Sequence, residues 1–200
     1  MANITKTVQT QLAAPQSLAS NSVFISTPFD CSTKLAAMVQ IRFGRRATTA
    51  LTEGVEFRVE VSGLGASTAS HWNTIASYKT AIAAAESEAV SGTVSSGTNV
   101  ITVASTTNLA RADIVYIDNS TIANSEWGRV KSISTNASIT IEDNLVNAQT
   151  GSTIYDQAEI LPPFDIDLRA VKYLRVVVDG SNTGQAIAFE IDLITADSIG

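Results

Sequence analysis

Two hundred residues with 44% apolar side chains can bury one sizeable core, or a core carrying a small insert, and exclude a chain disordered by composition. A net charge of −6, with Lys and Arg scattered apart from Arg42, Arg45 and Arg46, argues against nucleic-acid binding, which needs a basic stripe. Cys31 is the single cysteine, so no intrachain disulfide is expected; no run nears the roughly 18 apolar residues of a membrane helix, and the first residues carry no signal-peptide core. The charged fraction is 16%, with Ser, Thr, Asn and Ala in its place, which suits a β-rich surface touching other protein surfaces.

Residues 1–21 are polar and aperiodic and read as an N-terminal arm, mobile or ordered on a neighbour. Val23–Ser26 is a short apolar run stopped by Pro28. Leu35–Phe43 alternates from Ala37 onward, with Val39, Ile41 and Phe43 on one face and Gln40 and Arg42 on the other. Val55–Val61 is the cleanest strand: Val55, Phe57, Val59 and Val61 point inward and Glu56, Arg58 and Glu60 outward. One wet and one buried face favours antiparallel pairing. Gly63 and Gly65 turn the chain into a strand over Trp72–Tyr78. Ala81–Val90 has the alanines and glutamates of a helical turn but is short for a helix held by propensity, and reads as a connector.

Five short β-prone runs then follow: Asn99–Val103, Asp113–Asp118, Gly128–Ile133, Ser138–Ile141 and Thr153–Tyr155. Each is bounded by Gly, Asn, Asp or Ser, which predicts a small barrel or sandwich. Ala158–Leu161 ends at Pro162-Pro163, where no central strand continues. Lys172–Val178 and Ala186–Thr195 are long strands, the second alternating Ile187, Phe189, Ile191 and Leu193 with Ala188, Glu190 and Asp192. The expected organisation is an arm (1–21), a discontinuous antiparallel β-sandwich (22–91 with 156–200) and an inserted β module (92–155).

Candidate chemistry is sparse. His71 is the one histidine and no Gly-x-Ser-x-Gly elbow accompanies it, so a Ser–His–Asp hydrolase is not expected and no enzymatic activity is. One His and one Cys do not make a zinc site, and no cofactor is expected. Asp165 with Asp167 could supply calcium ligands or the acid and base of a glycosidase. The loop groups Glu142 with Asp143 and Asp179 with Asn182 are further oxygen ligands for calcium, against the bland reading that turns favour Asp and Asn. Trp72 and Trp127 suit a sugar platform, or core edges and contact anchors. Arg45, Arg46, Trp72 and Trp127 are the candidate partner-contact residues.

The runs Gly97–Val103 (GTNVITV), Ala112–Ile117 (ADIVYI), Glu126–Ile133 (EWGRVKSI), Ser138–Ile141 (SITI) and Gly151–Tyr155 (GSTIY) resemble small β modules of tailed-bacteriophage virion proteins. The flanking strands, with Val55–Val61 and Tyr173–Asp179 (YLRVVVD), are similar to jelly-roll-like phage structural proteins. The resemblance covers most of residues 22–196 and brings no catalytic residues. It implies an all-β, jelly-roll-like virion structural protein, first a capsid decoration (cement) protein on the major capsid lattice, assembled in the bacterial cytoplasm. A homo-oligomer is expected, a trimer favoured, because closed symmetric interfaces satisfy exposed strand edges. The alternative is a carbohydrate- or receptor-binding module of a tail or fibre, using Trp72 or Trp127.

Overall fold

Strands form where β-branched and aromatic residues alternate with polar ones, and the pleat sorts the two sets to opposite faces. The computed structural model describes residues 6–197. It opens with β1 (Lys6–Leu18), β2 (Ser22–Ile25), β3 (Phe29–Asp30), β4 (Lys34–Arg45), β5 (Glu56–Ser62) and β6 (Asn73–Lys79). The insert holds β7 (Ser87–Ala89), which pairs into it ahead of the expected start at residue 92, then β8 (Thr93–Val94), β9 (Val100–Thr102), β10 (Ile114–Asp118), β11 (Glu126–Ser134), β12 (Ser138–Ile141), β13 (Gln149–Thr150) and β14 (Thr153–Tyr155). The chain closes with β15 (Glu159–Ile160), β16 (Phe164–Asp167), β17 (Tyr173–Gly180) and β18 (Ile187–Asp197). Every described pairing is antiparallel, and the helical content of the described residues is two single 3₁₀ turns, Ala69–His71 and Ile122–Asn124.

Two sheets form the sandwich. One runs β1-β18-β4, with β15 and β16 both on the far side of β4; the other runs β2-β17-β5-β6, with β3 also on β17. The inward residues read from the sequence fill the layer between them. Val39, Ile41 and Phe43 of β4 are fully buried with Phe57 and Val59 of β5, and Phe43 meets Phe57 edge-on at 6.2 Å. The outward row of β5 is a cross-strand ion ladder rather than a wet face. Arg58 reaches Glu56 at 2.8 Å and Asp179 at 3.1 Å, and Arg175 reaches Glu60 at 2.7 Å.

The expected arm is, from Lys6 onward, the longest strand of the fold, paired with β18 from Lys6↔Ala196 to Leu18↔Ile187; Met1–Thr5 lie outside the described residues. Its alternation is hidden because β1 carries an extra residue at three places, between Thr7 and Thr10, Gln11 and Ala13, and Ala13 and Gln16. Each bulge resets the two-residue phase, so no single period survives in the sequence. The helical turn suggested by Ala81–Val90 is also absent. The segment is extended because Arg45 Nη2 takes the carbonyls of Ala81 (3.2 Å) and Ala83, which an α-helical turn would keep for itself.

The insert is a small barrel. Its strands run β7-β14-β10-β11-β12-β9, and the two outermost meet through the Val90–Val103 bridge, where Ser91 N–H donates to Thr102 O at 2.8 Å. Ile101, Val115, Ile117, Val130, Ile139 and Ile154 fill its centre. Gly97 (φ +80°) and Gly151 (φ +62°) hold turns in the left-handed region that side chains resist. The two crossings into the barrel are tied together: Glu86 N–H donates to Asp156 Oδ1 at 2.6 Å, and Asp156 N–H to Glu86 O at 3.2 Å.

Each edge strand of the sandwich is interrupted. β1 carries Pro15 and its three bulges, β2 is four residues long and ends before Pro28, β6 has an extra residue at Ile75, and Pro162-Pro163 separates the short β15 and β16. These are the devices by which sheets avoid edge-to-edge pairing.

Candidate functional site

The chemistry of the chain gathers on the outer face of the β1-β18-β4 sheet, where the barrel sits. Gly44 and Ala188 are paired neighbours there and leave a shallow floor. Tyr116 of β10 fills it so closely that a Cβ on Gly44 would lie 2.5 Å from the Tyr116 ring. Burial pushes the Tyr116 hydroxyl far above its ordinary range, and it donates to Asp118 Oδ1 at 3.1 Å. Trp127, opposite Tyr116 in the barrel sheet, tilts against that ring at 4.8 Å and donates Nε1–H to the Phe43 carbonyl at 2.9 Å. Arg46 Nε pairs with Asp118 at 3.0 Å from the sandwich side.

Beside this seam lies a polar cluster that the sequence reads only as an outward row. Arg42 Nη1 sits between Glu190 Oε2 and Asp192 Oδ2, 2.7 Å from each, and Gln11 Nε2 donates to Glu190 Oε1 at 2.8 Å. Asp192 is 1% exposed. Burial raises the Glu190 carboxyl; Arg42 opposes the shift and Asp192 adds to it. A cleft of about 720 Å³ opens above these groups, walled on the barrel side by Trp127, Ile141 and the 143–147 loop, and on the sandwich side by Ala14 and Pro15. The signal in the sequence was Arg42 and the Glu190/Asp192 pair on outward positions of two strands, but the partners lie 148 and 150 residues apart.

The four candidate contact residues do not form one patch. Arg45 is 2% exposed, so it is not offered to a partner in this structure; it points into the end of the sandwich core, its guanidinium 5.6 Å from the centre of the Phe43 ring. Its Nε and Nη1 have no hydrogen-bond partner, and burial lowers its pKa. Arg46 and Trp127 hold the seam, half-buried. Trp72 stands apart on the outer face of the other sheet, with the Arg175 guanidinium stacked 4.2 Å over its ring.

Asp167 is held by Arg169, whose side-chain hydrogen bonds lower its pKa to about 2, which makes it a poor general acid. Among the described residues no group of three or more His, Cys, Asp or Glu is placed to hold a metal ion, and no helix is long and apolar enough to cross a membrane, which says nothing of β-barrel spanning. His71 Nδ1 is buried without a hydrogen-bond partner. A second, more apolar groove of about 660 Å³ lies at the opposite end of the same sheet face, over Met38, Ile194 and Ala196.

No protein-family model matches the chain, and no curated protein does. Among solved structures, a chain of the T13 viral particle of IBDV aligns with 96% of this chain at 9% identity and a TM-score of 0.21. A chain of the infectious bursal disease virus Gt strain aligns with 95% at 9% identity and a TM-score of 0.19. The alignments span 39% and 40% of those chains. The chain is an all-β protein, a jelly-roll-like sandwich with a small barrel set on one face.

Proposed function

We propose that the chain is a structural protein of a virion, and within that class a decoration (cement) protein that binds the major capsid lattice of a tailed bacteriophage. The observation that carries this reading is the seam. A barrel clamped to a sandwich by Tyr116, Trp127 and the Arg46–Asp118 pair is a stiff two-lobed body with wide surfaces. Lattice binding of this kind draws its energy from a few buried anchors across a broad contact rather than from a reactive pocket. The resemblance of the barrel runs to phage virion modules supports the same reading.

On this reading the protein is not an enzyme, acts on the capsid surface, and binds neither nucleic acid nor membrane. A homo-oligomer, with a trimer favoured, remains part of the proposal, but the interrupted edges move its contact from strand edges to sheet faces. The test is solution mass by light scattering, with and without empty capsids of the virus that encodes the chain. A defined oligomer that co-sediments with capsids in fixed ratio is expected. A monomer that stays in the supernatant overturns the reading and favours a tail- or fibre-associated binding module.

A further inference from the structure

We propose that the cleft between barrel and sandwich binds a neutral sugar unit, an inference that does not depend on the virion reading. Its floor presents a donor and an acceptor side by side. Arg42 uses only Nη1 on Glu190 and Asp192, which leaves Nε and Nη2 without a partner among the described residues. Asp192, although 1% exposed, accepts from Arg42 at Oδ2 alone, and its Oδ1 takes no hydrogen bond from the described protein. That oxygen keeps accessible surface at the cleft, where an arriving hydroxyl can donate to it.

The charge pattern selects the ligand class. Four carboxylates, Glu126, Asp143, Glu190 and Asp192, line the cleft against Arg42 alone, so an anion is repelled. Three of the four are already engaged, Glu126 by the Val146 and Asn147 amides and Glu190 and Asp192 by Arg42. A hydroxyl accepts from a guanidinium and donates to a carboxylate at once, and vicinal hydroxyls match an Arg–Asp pair. The wall above supplies the rest. The Trp127 ring lines the cleft and offers an apolar surface to sugar C–H groups, while Gln11, Asn144 and Asn147 add amides around the mouth. A cleft of about 720 Å³ lies within the usual size of ligand sites, and the junction of two packed modules is where such sites occur.

The experiment is amide and indole NMR of the full chain titrated with glucose, galactose, mannose and N-acetylglucosamine and their short oligomers. The two tryptophan indole signals are assigned with Trp72→Phe. At least one sugar is expected to shift the Trp127 indole and the Gln11 and Asn144 side-chain amides saturably, leaving the Trp72 indole still. Asp192→Asn is expected to weaken binding about tenfold, the scale of one hydrogen bond to a charged group. Because that variant disturbs the Arg42 cluster, Asn144→Phe at the exposed mouth is the second probe, and it is expected to abolish the shifts while leaving the melting temperature unchanged. No shift at Trp127 with any of these sugars, or shifts that survive Asn144→Phe, overturns the assignment.

Discussion

Gly44 is the residue on which the two lobes meet, because any side chain there enters the ring of Tyr116. Gly44→Ala is expected to cost about 1–3 kcal/mol in urea denaturation, the usual scale for overpacking, and to shift the Trp127 indole signal as the barrel lifts. An unchanged denaturation midpoint would mean the seam is soft. Arg45 makes the opposite kind of case. A buried guanidinium with two unpartnered nitrogens gains little from its charge, so Arg45→Met is expected within about 1 kcal/mol of the parent, whereas Arg45→Ala leaves a cavity costing about 2–5 kcal/mol. If Met proves as damaging as Ala, the bonds to Ala81 and Ala83 matter more than the volume. Cys31 and Tyr78 set an alkaline limit. Burial raises the Cys31 thiol from 9.0 to about 11, and the hydrogen bond to Glu159 raises Tyr78 from 10.0 to about 12. The unfolded chain therefore loses these protons first, so stability should be level below about pH 8 and fall between about pH 9 and 12. A melting curve flat across that window would contradict both assignments.

Among the elements, the ladder between β5 and β17 is a place where charge and strand pairing act together. Arg175 bonds Glu60 and stacks on Trp72, with both ion-pair side chains mostly shielded from water. A double-mutant cycle with Arg175→Met and Glu60→Gln should give a coupling of about 1–2 kcal/mol, above that of exposed pairs; a coupling near zero would make the ladder ornamental. The sequence shows β5 and β18 by their alternation, β17 by its β-branched run, and five of the six barrel strands because each is fenced by turn residues. The sixth, β7, goes unseen because its three residues lie in an Ala- and Glu-rich stretch. It hides β1 because three bulges shift its phase, and it hides β8 and β13 because two residues are too few to show a period. The cleft is the least legible part. Val55–Val61 and Ile187–Leu193 give the inward faces correctly, but nothing local says that the outward Glu190 and Asp192 lie under a lobe inserted far earlier in the chain. The sequence marks Trp127 as a core edge or contact anchor, and in the structure its indole N–H bonds the Phe43 carbonyl of its own sandwich.

For the whole molecule, ion pairs tie strand to strand, the edge strands are interrupted, and what remains outward is the outer face of the β2-β17-β5-β6 sheet, the part of the other sheet face left beside the barrel, and the cleft mouth. That distribution suits a body held by surface contact. The most direct check is a difference density between capsids with and without the chain, reconstructed by electron microscopy. Extra density is expected to repeat at equivalent lattice positions, with a sandwich-sized lobe and a smaller barrel lobe joined through the Tyr116–Gly44 seam. Capsids that gain no density at saturating protein would contradict the proposed lattice binding.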